Sequence, residues 1–289
     1  MKHSFSPLLK HPVAKVMAVI LGLSSAWIYQ AVRGPSAEQI AEAEARLGLG
    51  QIVTQAAEAS ELPAGIPDRT SPVVVELFTS QGCSSCPPAD ALLNELADLP
   101  GIIVLSYHVD YWDYIGWKDP FSSPEATARQ RRYAQALALR YVYTPQIVVD
   151  GVDEMVGSRR GDVLLAIEAA ARKEKPTKLQ IRSDHGAGGG DALVFEGELP
   201  EAQGVTLWLA TFDHKHETNI SRGENDGLLL INRHVVRRLT PVVEWNGRDR
   251  LLPLDRVLSG FDPKQGYAFL LQEKGTNSVL GAVLRKDPQ

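Results

Sequence analysis

Val73-Val74-Val75-Glu76-Leu77-Phe78-Thr79-Ser80-Gln81-Gly82-Cys83-Ser84-Ser85-Cys86-Pro87-Pro88-Ala89-Asp90 is the stretch on which the reading of this chain turns. Its nearly unbroken apolar, β-branched opening describes a strand buried on both faces. Gly82 punctuates a turn, and an amphipathic helical pattern then runs to about Leu99. The order is therefore strand, turn, two thiols and helix start. Cys83 and Cys86 are the only cysteines in the chain, so each is the other's only intramolecular partner. Beside a helix start, free N–H groups and the positive end of the helix dipole favour thiolate. Thiolate is the form that attacks disulfides.

Three readings of the pair remain open on spacing. C-x-x-C beside a β-α-β pattern is usually a redox dithiol. Half of a zinc site would need two further ligands, and no second C-x-x-C exists. A structural disulfide closing so short a loop would stabilise little. The prolines matter too. With Ser84 as first helical residue, Pro87 and Pro88 would each delete a helical hydrogen bond. A helix starting near Cys86 instead places Pro87 at N1 and loosens the dipole's hold on Cys83.

Working outward from residue 73, Ala37 to Leu62 reads as a marginal helix, and Pro63, Gly65 and Pro67 break it. Before it, Lys2, Lys10 and Lys15 precede an apolar run from Val16 to Tyr29. That pattern describes a secretory signal. An uncleaved anchor is the second reading, although the run is short for a span. Either places the body in a periplasmic or secreted setting, where cysteines can be held oxidised. The expected organisation is a signal or anchor over 1–30, a spacer over 31–70, an α/β domain over 71–175 and a β-rich domain over 176–289.

Within the α/β part, the pattern predicts strand 73–79, helix 86–98, strand 102–109 and a helix opening at Ser122 or Ser123 with Pro124 at N1 and reaching about Arg140. Strands 146–149 and 153–156, joined by a tight turn at Asp150-Gly151, and helix 162–172 follow. The order β-α-β-α-β-β-α suits a layered α/β sheet.

This order, C-S-S-C after the first strand and Thr144-Pro145 just before the third resemble the thioredoxin fold. There a cis proline faces the dithiol and leaves adjoining backbone free to pair with an extended substrate. The resemblance implies that role for Thr144 and Pro145. More narrowly, the segments Glu76 to Asp90, His108 to Trp117 and Tyr143-Thr144-Pro145-Gln146 resemble a family of bacterial secreted proteins of unassigned function. Gly223-Glu224-Asn225 and His234 to Pro241 extend that likeness. The family implies a thioredoxin-like domain followed by an all-β, antiparallel sandwich-like one, and no substrate. Gly82 departs from the tryptophan that thioredoxins carry before the first cysteine.

Roles follow. Cys83, expected to be the more exposed, is the attacking thiol, and Cys86 resolves the mixed disulfide. Glu76 is read either as a buried carboxylate relaying a proton to Cys86 or as an acid at a strand edge. The aromatic loop Asp110 to Phe121 is read as a peptide-binding groove using Trp112, or as a lid on its own domain. Arg129, Arg131 and Arg132 are read as a solvated helix face.

Beyond Pro176, alternating runs predict six strands, with Gly186 to Gly190 as a hairpin turn. His214 and His216 are read as metal ligands or, more simply, as an exposed strand end. A net charge of −5 gives no pull toward nucleic acid. The expected function is extracytoplasmic thiol–disulfide exchange with a cysteine-containing protein partner and no cofactor beyond the disulfide. The alternatives are a Cu(I) carrier using the two thiolates, with His108 as an extra ligand, or an inert thioredoxin-shaped binding module.

Overall fold

The computed structural model describes residues 71–184, 190–197, 204–245 and 251–285. The expected signal or anchor, the spacer and most of the Gly186–Gly190 turn lie outside these residues. No helix among the described residues is long and apolar enough to cross a membrane.

The chain is a mixed α/β fold. β1 (Val73–Thr79) is followed by α1 (Pro87–Leu96), β2 (Ile102–His108), α2 (Pro124–Ala136), β3 (Gln146–Val149), β4 (Asp153–Val156) and α3 (Arg160–Ala171). β1 lies between parallel β2 and antiparallel β3, buried at every position. Its pleat sends Val73, Val75 and Leu77 to one side, where Leu92, Leu93 and Leu96 of α1 and Val163, Leu164 and Ile167 of α3 cover them. Val74 and Phe78 face the other side, with Tyr133 of α2. Ser123 caps α2 by accepting from the Ala126 N–H at 3.1 Å, and Pro124 takes the first position. The helix stops at Ala136, short of Arg140, because Ala138 adopts a left-handed φ of 53°.

The later elements are β5 (Thr177–Asp184), β6 (Gly190–Gly197), β7 (Val205–Asn219), β8 (Leu229–Trp245), β9 (Leu251–Pro253), the short α4 (Leu254–Val257), β10 (Gly266–Glu273) and β11 (Val279–Arg285). The expectation of a sheet system of their own beyond residue 176 meets a different arrangement. β7, β8, β10 and β11 continue the first sheet, giving eight strands in the order β11-β10-β7-β8-β2-β1-β3-β4. β5, β6 and β9 form a second sheet. It packs through Leu179, Leu193 and Phe195 onto Leu207, Phe269 and Leu271 of the large one. The two halves join where Ser106 of β2 pairs with Val235 of β8. There His234, with a left-handed φ of 49°, donates from Nδ1 to the Val104 carbonyl at 3.0 Å. β7, expected over Val205–Phe212, runs on to Asn219, because the polar residues 213–219 continue the ladder as an arm past the apolar segment.

Candidate functional site

Cys83 and Cys86 form a disulfide, with Cα atoms 5.5 Å apart. Local chemistry explains the turn that carries them. The Ser80 carbonyl accepts from the Cys83 N–H at 3.1 Å, and the Cys83 carbonyl accepts from the Cys86 N–H at 3.2 Å. α1 begins at Pro87 with Cys86 at the N-cap, so Pro87 has no hydrogen bond to lose. The helix dipole is thus aimed at Cys86, and Cys83 stands one turn outside it. Two hydroxyls serve Cys83 instead. Thr144 Oγ1 lies 3.2 Å from its Sγ and Ser85 Oγ 3.3 Å. Trp112 donates from Nε1 to Thr144 Oγ1 at 2.7 Å, and Thr144-Pro145 is a cis bond. Trp112 and Thr144 thus form a hydrogen-bonded chain leading to Cys83 Sγ, and Pro145 follows Thr144 through the cis bond.

Both cysteines are buried, Cys83 at 2% exposure and Cys86 fully. The aromatic loop supplies the cover, acting as a lid on its own domain. Trp117 donates from Nε1 to Gln81 Oε1 at 3.1 Å and Tyr111 from its hydroxyl to Gln130 at 3.1 Å, leaving Tyr114 exposed. Gly82 is where the lid closes. A Cβ there would stand 3.3 Å from the Trp112 carbonyl oxygen and 3.5 Å from that of Trp117. No bulky side chain fits beneath the loop.

Glu76 is not beside the dithiol. It sits on the α2 face of β1, whereas α1 and Cys86 occupy the opposite face. Glu76 Oε1 accepts from Arg129 Nε at 2.6 Å, and the Tyr133 hydroxyl donates to Oε2. Arg129 also reaches Gln272 at 3.2 Å. Glu76 is buried, on a central strand rather than an edge, and its carboxylate is one end of an ion pair on the face away from Cys86. Arg129 is correspondingly removed from the expected solvated face, being 3% exposed. Burial, the largest single influence, opposes its charge, but the Glu76 carboxylate together with the neighbouring Tyr107 and Tyr133 holds the guanidinium protonated more firmly than usual.

The buried acid behind Cys86 is Asp90, one helical turn further along α1. Thr79 donates to its Oδ2 at 3.1 Å. Burial pushes its carboxyl up to about 7, against the opposing pull of His108. His108, opposite Thr79 in the β1–β2 register, donates from Nδ1 to Asp119 Oδ2 at 2.7 Å. Burial disfavours its charge, but Asp119 and more distant Asp90 win and raise its pKa. Asp119 is lowered in turn: burial opposes its charge, but the charge and hydrogen bond of His108 and the N–H groups of Gln81 and Phe121 together prevail. Asp90 Oδ1 and His108 Nε2 are both buried and make no hydrogen bond among the described residues. The three side chains form a buried titratable row beneath the dithiol turn.

That turn is held from the second half of the chain. Asn225 donates from Nδ2 to the carbonyls of Gln81 at 2.8 Å and Cys83 at 3.0 Å. Gln81 donates from its N–H to Asp119 at 2.8 Å and from Nε2 to Asn232 at 2.9 Å and Thr218 at 3.1 Å. Sequence reasoning passed over Asp90, Asp119, Asn225 and Asn232. The available signals were an acid at helical spacing behind Cys86 and the quoted Gly-Glu-Asn segment.

His214 and His216 do not converge with the dithiol. His216 lies 2.8 Å from Asp213 and packs on Phe121. Among the described residues no three His, Cys, Asp or Glu side chains are grouped as metal ligands. The nitrogen of His108 that faces Asp119 is committed to that bond.

The profile of a family described as "Protein of unknown function (DUF1223)" matches residues 74–272. The chain is similar to a structural-genomics crystal structure of a protein from Agrobacterium tumefaciens. The two share 29% identity over 79% of this chain and 98% of that one, with a TM-score of 0.61. HBP35 of Porphyromonas gingivalis matches at 15% identity and a TM-score of 0.47, over 75% of each chain. No curated protein matches.

Proposed function

We propose, from the premise that this chain belongs to the DUF1223 family of proteins of unknown function, that it is a thiol–disulfide exchange protein of thioredoxin-like type acting through Cys83 and Cys86. The observation that carries this reading is the setting of Cys83 Sγ. It stands outside the helix, next to its only partner thiol, and faces two hydroxyls that can stabilise a thiolate.

In the reducing direction, the Cys83 thiolate attacks a disulfide sulfur of the partner protein. A mixed disulfide forms and the partner's first thiolate leaves. The Cys86 thiolate then attacks Cys83 Sγ, restoring the disulfide and releasing the partner's second thiolate. The chain loses two electrons, the partner's disulfide gains them, and the protons of the two cysteines pass to the partner's thiols. The oxidising direction is the same sequence reversed, and the reduction potential chooses between them. Asp90, one turn behind Cys86, offers a carboxyl able to take or return a proton near neutral pH. The lid over Cys83 means that a partner's cysteine enters past Ser85 and Thr144. The lysine-flanked apolar run from Val16 to Tyr29 supports an extracytoplasmic setting, where such chemistry is used.

The test is a redox titration of the full-length protein in glutathione buffers, with alkylation and mass reading the dithiol fraction. A reversible two-electron couple is expected, and Cys86→Ser is expected to trap a mixed disulfide with a model disulfide substrate where Cys83→Ser does not. A disulfide that resists reduction, with no trapped species, would leave an inert binding module. Trapping only by Cys83→Ser would exchange the two roles.

A further inference from the structure

Away from the dithiol, a cavity of about 710 Å³ opens where the 256–265 segment lies over the β7–β8 sheet face. That size suits a small organic ligand. Four apolar side chains, Leu209, Val242, Val257 and Phe261, share its lining with polar ones, among them three arginines, Arg237, Arg238 and Arg256, and one acid, Asp262.

Strand geometry accounts for this concentration of charge. Neighbouring residues of a regular strand point to opposite faces. On β8, however, Arg238 pairs with Thr211 while Val236 pairs with Phe212, leaving Arg237 as the extra residue of a β-bulge. The bulge turns two consecutive arginines to the same cavity. A second irregularity, with Val243 opposite Leu207 and Pro241 opposite Trp208, brings Val242 to the lining in the same way.

The partners of these arginines separate them from the rest of the surface. Arg160, Arg172, Arg182, Arg233 and Arg285 each pair with a carboxylate. Arg237 is held between Asp213, at 3.6 Å, and the ring of Phe121. The side chains of Arg238 and Arg256 make no ion pair or hydrogen bond among the described residues. In a chain of net charge −5, two guanidinium groups without an ion-pair partner among the described residues face one cavity.

We infer that this cavity is a binding site for a small amphipathic anion, an organic carboxylate with an apolar body, whose head group Arg238 and Arg256 receive and whose body rests on Leu209, Val242, Val257 and Phe261. Guanidinium matches a carboxylate in shape and charge, and its hydrogen bonds to one are stronger than neutral bonds. Bringing an anion to the cavity also relieves the repulsion between the arginines. The site is independent of the dithiol reading.

The test is calorimetric titration of the full-length protein with decanoate below its micelle concentration, with 1-decanol and inorganic phosphate as separate probes. The expected result is one saturable decanoate site, at least tenfold weaker binding of decanol and of phosphate, and at least tenfold loss of decanoate affinity in the Arg238→Gln/Arg256→Gln variant. Both substituted positions are exposed, and a thermal melt verifies that the variant is folded. Absence of saturable decanoate binding, equal binding of decanol or phosphate, or unchanged affinity in the folded double variant would each overturn the inference.

Discussion

Asn225 donates a hydrogen bond to the carbonyl of Cys83 at 3.0 Å, across 142 residues of chain. The same amide holds the Gln81 carbonyl at 2.8 Å, so one side chain spans the two ends of the Gln81–Cys83 turn. The disulfide loop therefore owes its shape to the second half of the protein as well as to its own four residues. Asn225→Ala removes this donor from the buried Gln81 carbonyl, at a cost of about 1–3 kcal/mol if water does not replace it, while the Cys83 carbonyl keeps the Cys86 N–H. Urea denaturation is expected to show a loss of about 1–3 kcal/mol. Reduction of the disulfide by dithiothreitol should also be faster than in the parent. Unaltered stability with unaltered reduction rate would remove Asn225 from this role.

Thr144 is the second tether, through its hydroxyl on Cys83 Sγ. In the reduced protein that bond favours thiolate over thiol. Thr144→Val is expected to raise the Cys83 pKa by about 1 unit, the scale of one hydrogen bond to a charged group. Thr144→Ser should retain most of the parent's value. The pH profile of iodoacetamide alkylation reads both. A Thr144→Val profile that overlays the parent's would mean that Ser85 and the helix suffice.

Asp90 makes stability depend on pH. Its folded pKa, about 7, lies above the unfolded value, so the native state binds the extra proton between about pH 4 and 7. Stability from this group is greatest at the acid end and declines as pH rises through the folded value. His108, raised by Asp119, acts in the same direction. A shift of this size corresponds to roughly 4 kcal/mol at most, spread over that range. Chemical denaturation at pH 5 and pH 8 should show the parent losing stability with rising pH. Asp90→Asn should lose distinctly less. Parallel pH dependence in the two proteins would show that the Asp90 carboxyl does not titrate in this range.

Glu76 and Arg129 form an ion pair with both side chains nearly fully buried. Removing one partner strands the other, at a cost of about 3–5 kcal/mol. Arg129→Met and Glu76→Gln should each destabilise markedly, whereas the Glu76→Leu/Arg129→Met pair should recover a large part of the loss. Because Glu76 points away from α1, Glu76→Gln should leave the pH profile of Cys83 alkylation unchanged. A displaced profile would reinstate a link between this acid and the dithiol.

Much of the first half was legible along the chain. β1, β3 and β4 fall within the expected residues, because apolar runs and turn residues act over a few positions. The α2 cap was legible for the same reason, since Ser123 and Pro124 act on their own first turn. Glu76 and Arg129 were misread because nothing local distinguishes a buried charge from an exposed one. Their burial is tolerated only through a partner 53 residues away.

The chain alone determined that two lone cysteines stand beside a helix start at a spacing that lets their sulfurs meet. It also determined the α/β alternation, through patterns that repeat every two or 3.6 residues. The tertiary structure decided that β7, β8, β10 and β11 extend the first sheet, that a lid closes over Gly82, and that Asp90 stands behind Cys86 with its carboxyl buried. Those features depend on which surfaces meet after distant segments pair. Ser106 against Val235 and Asn225 against Cys83 are contacts whose energy exists only once the chain has closed around them.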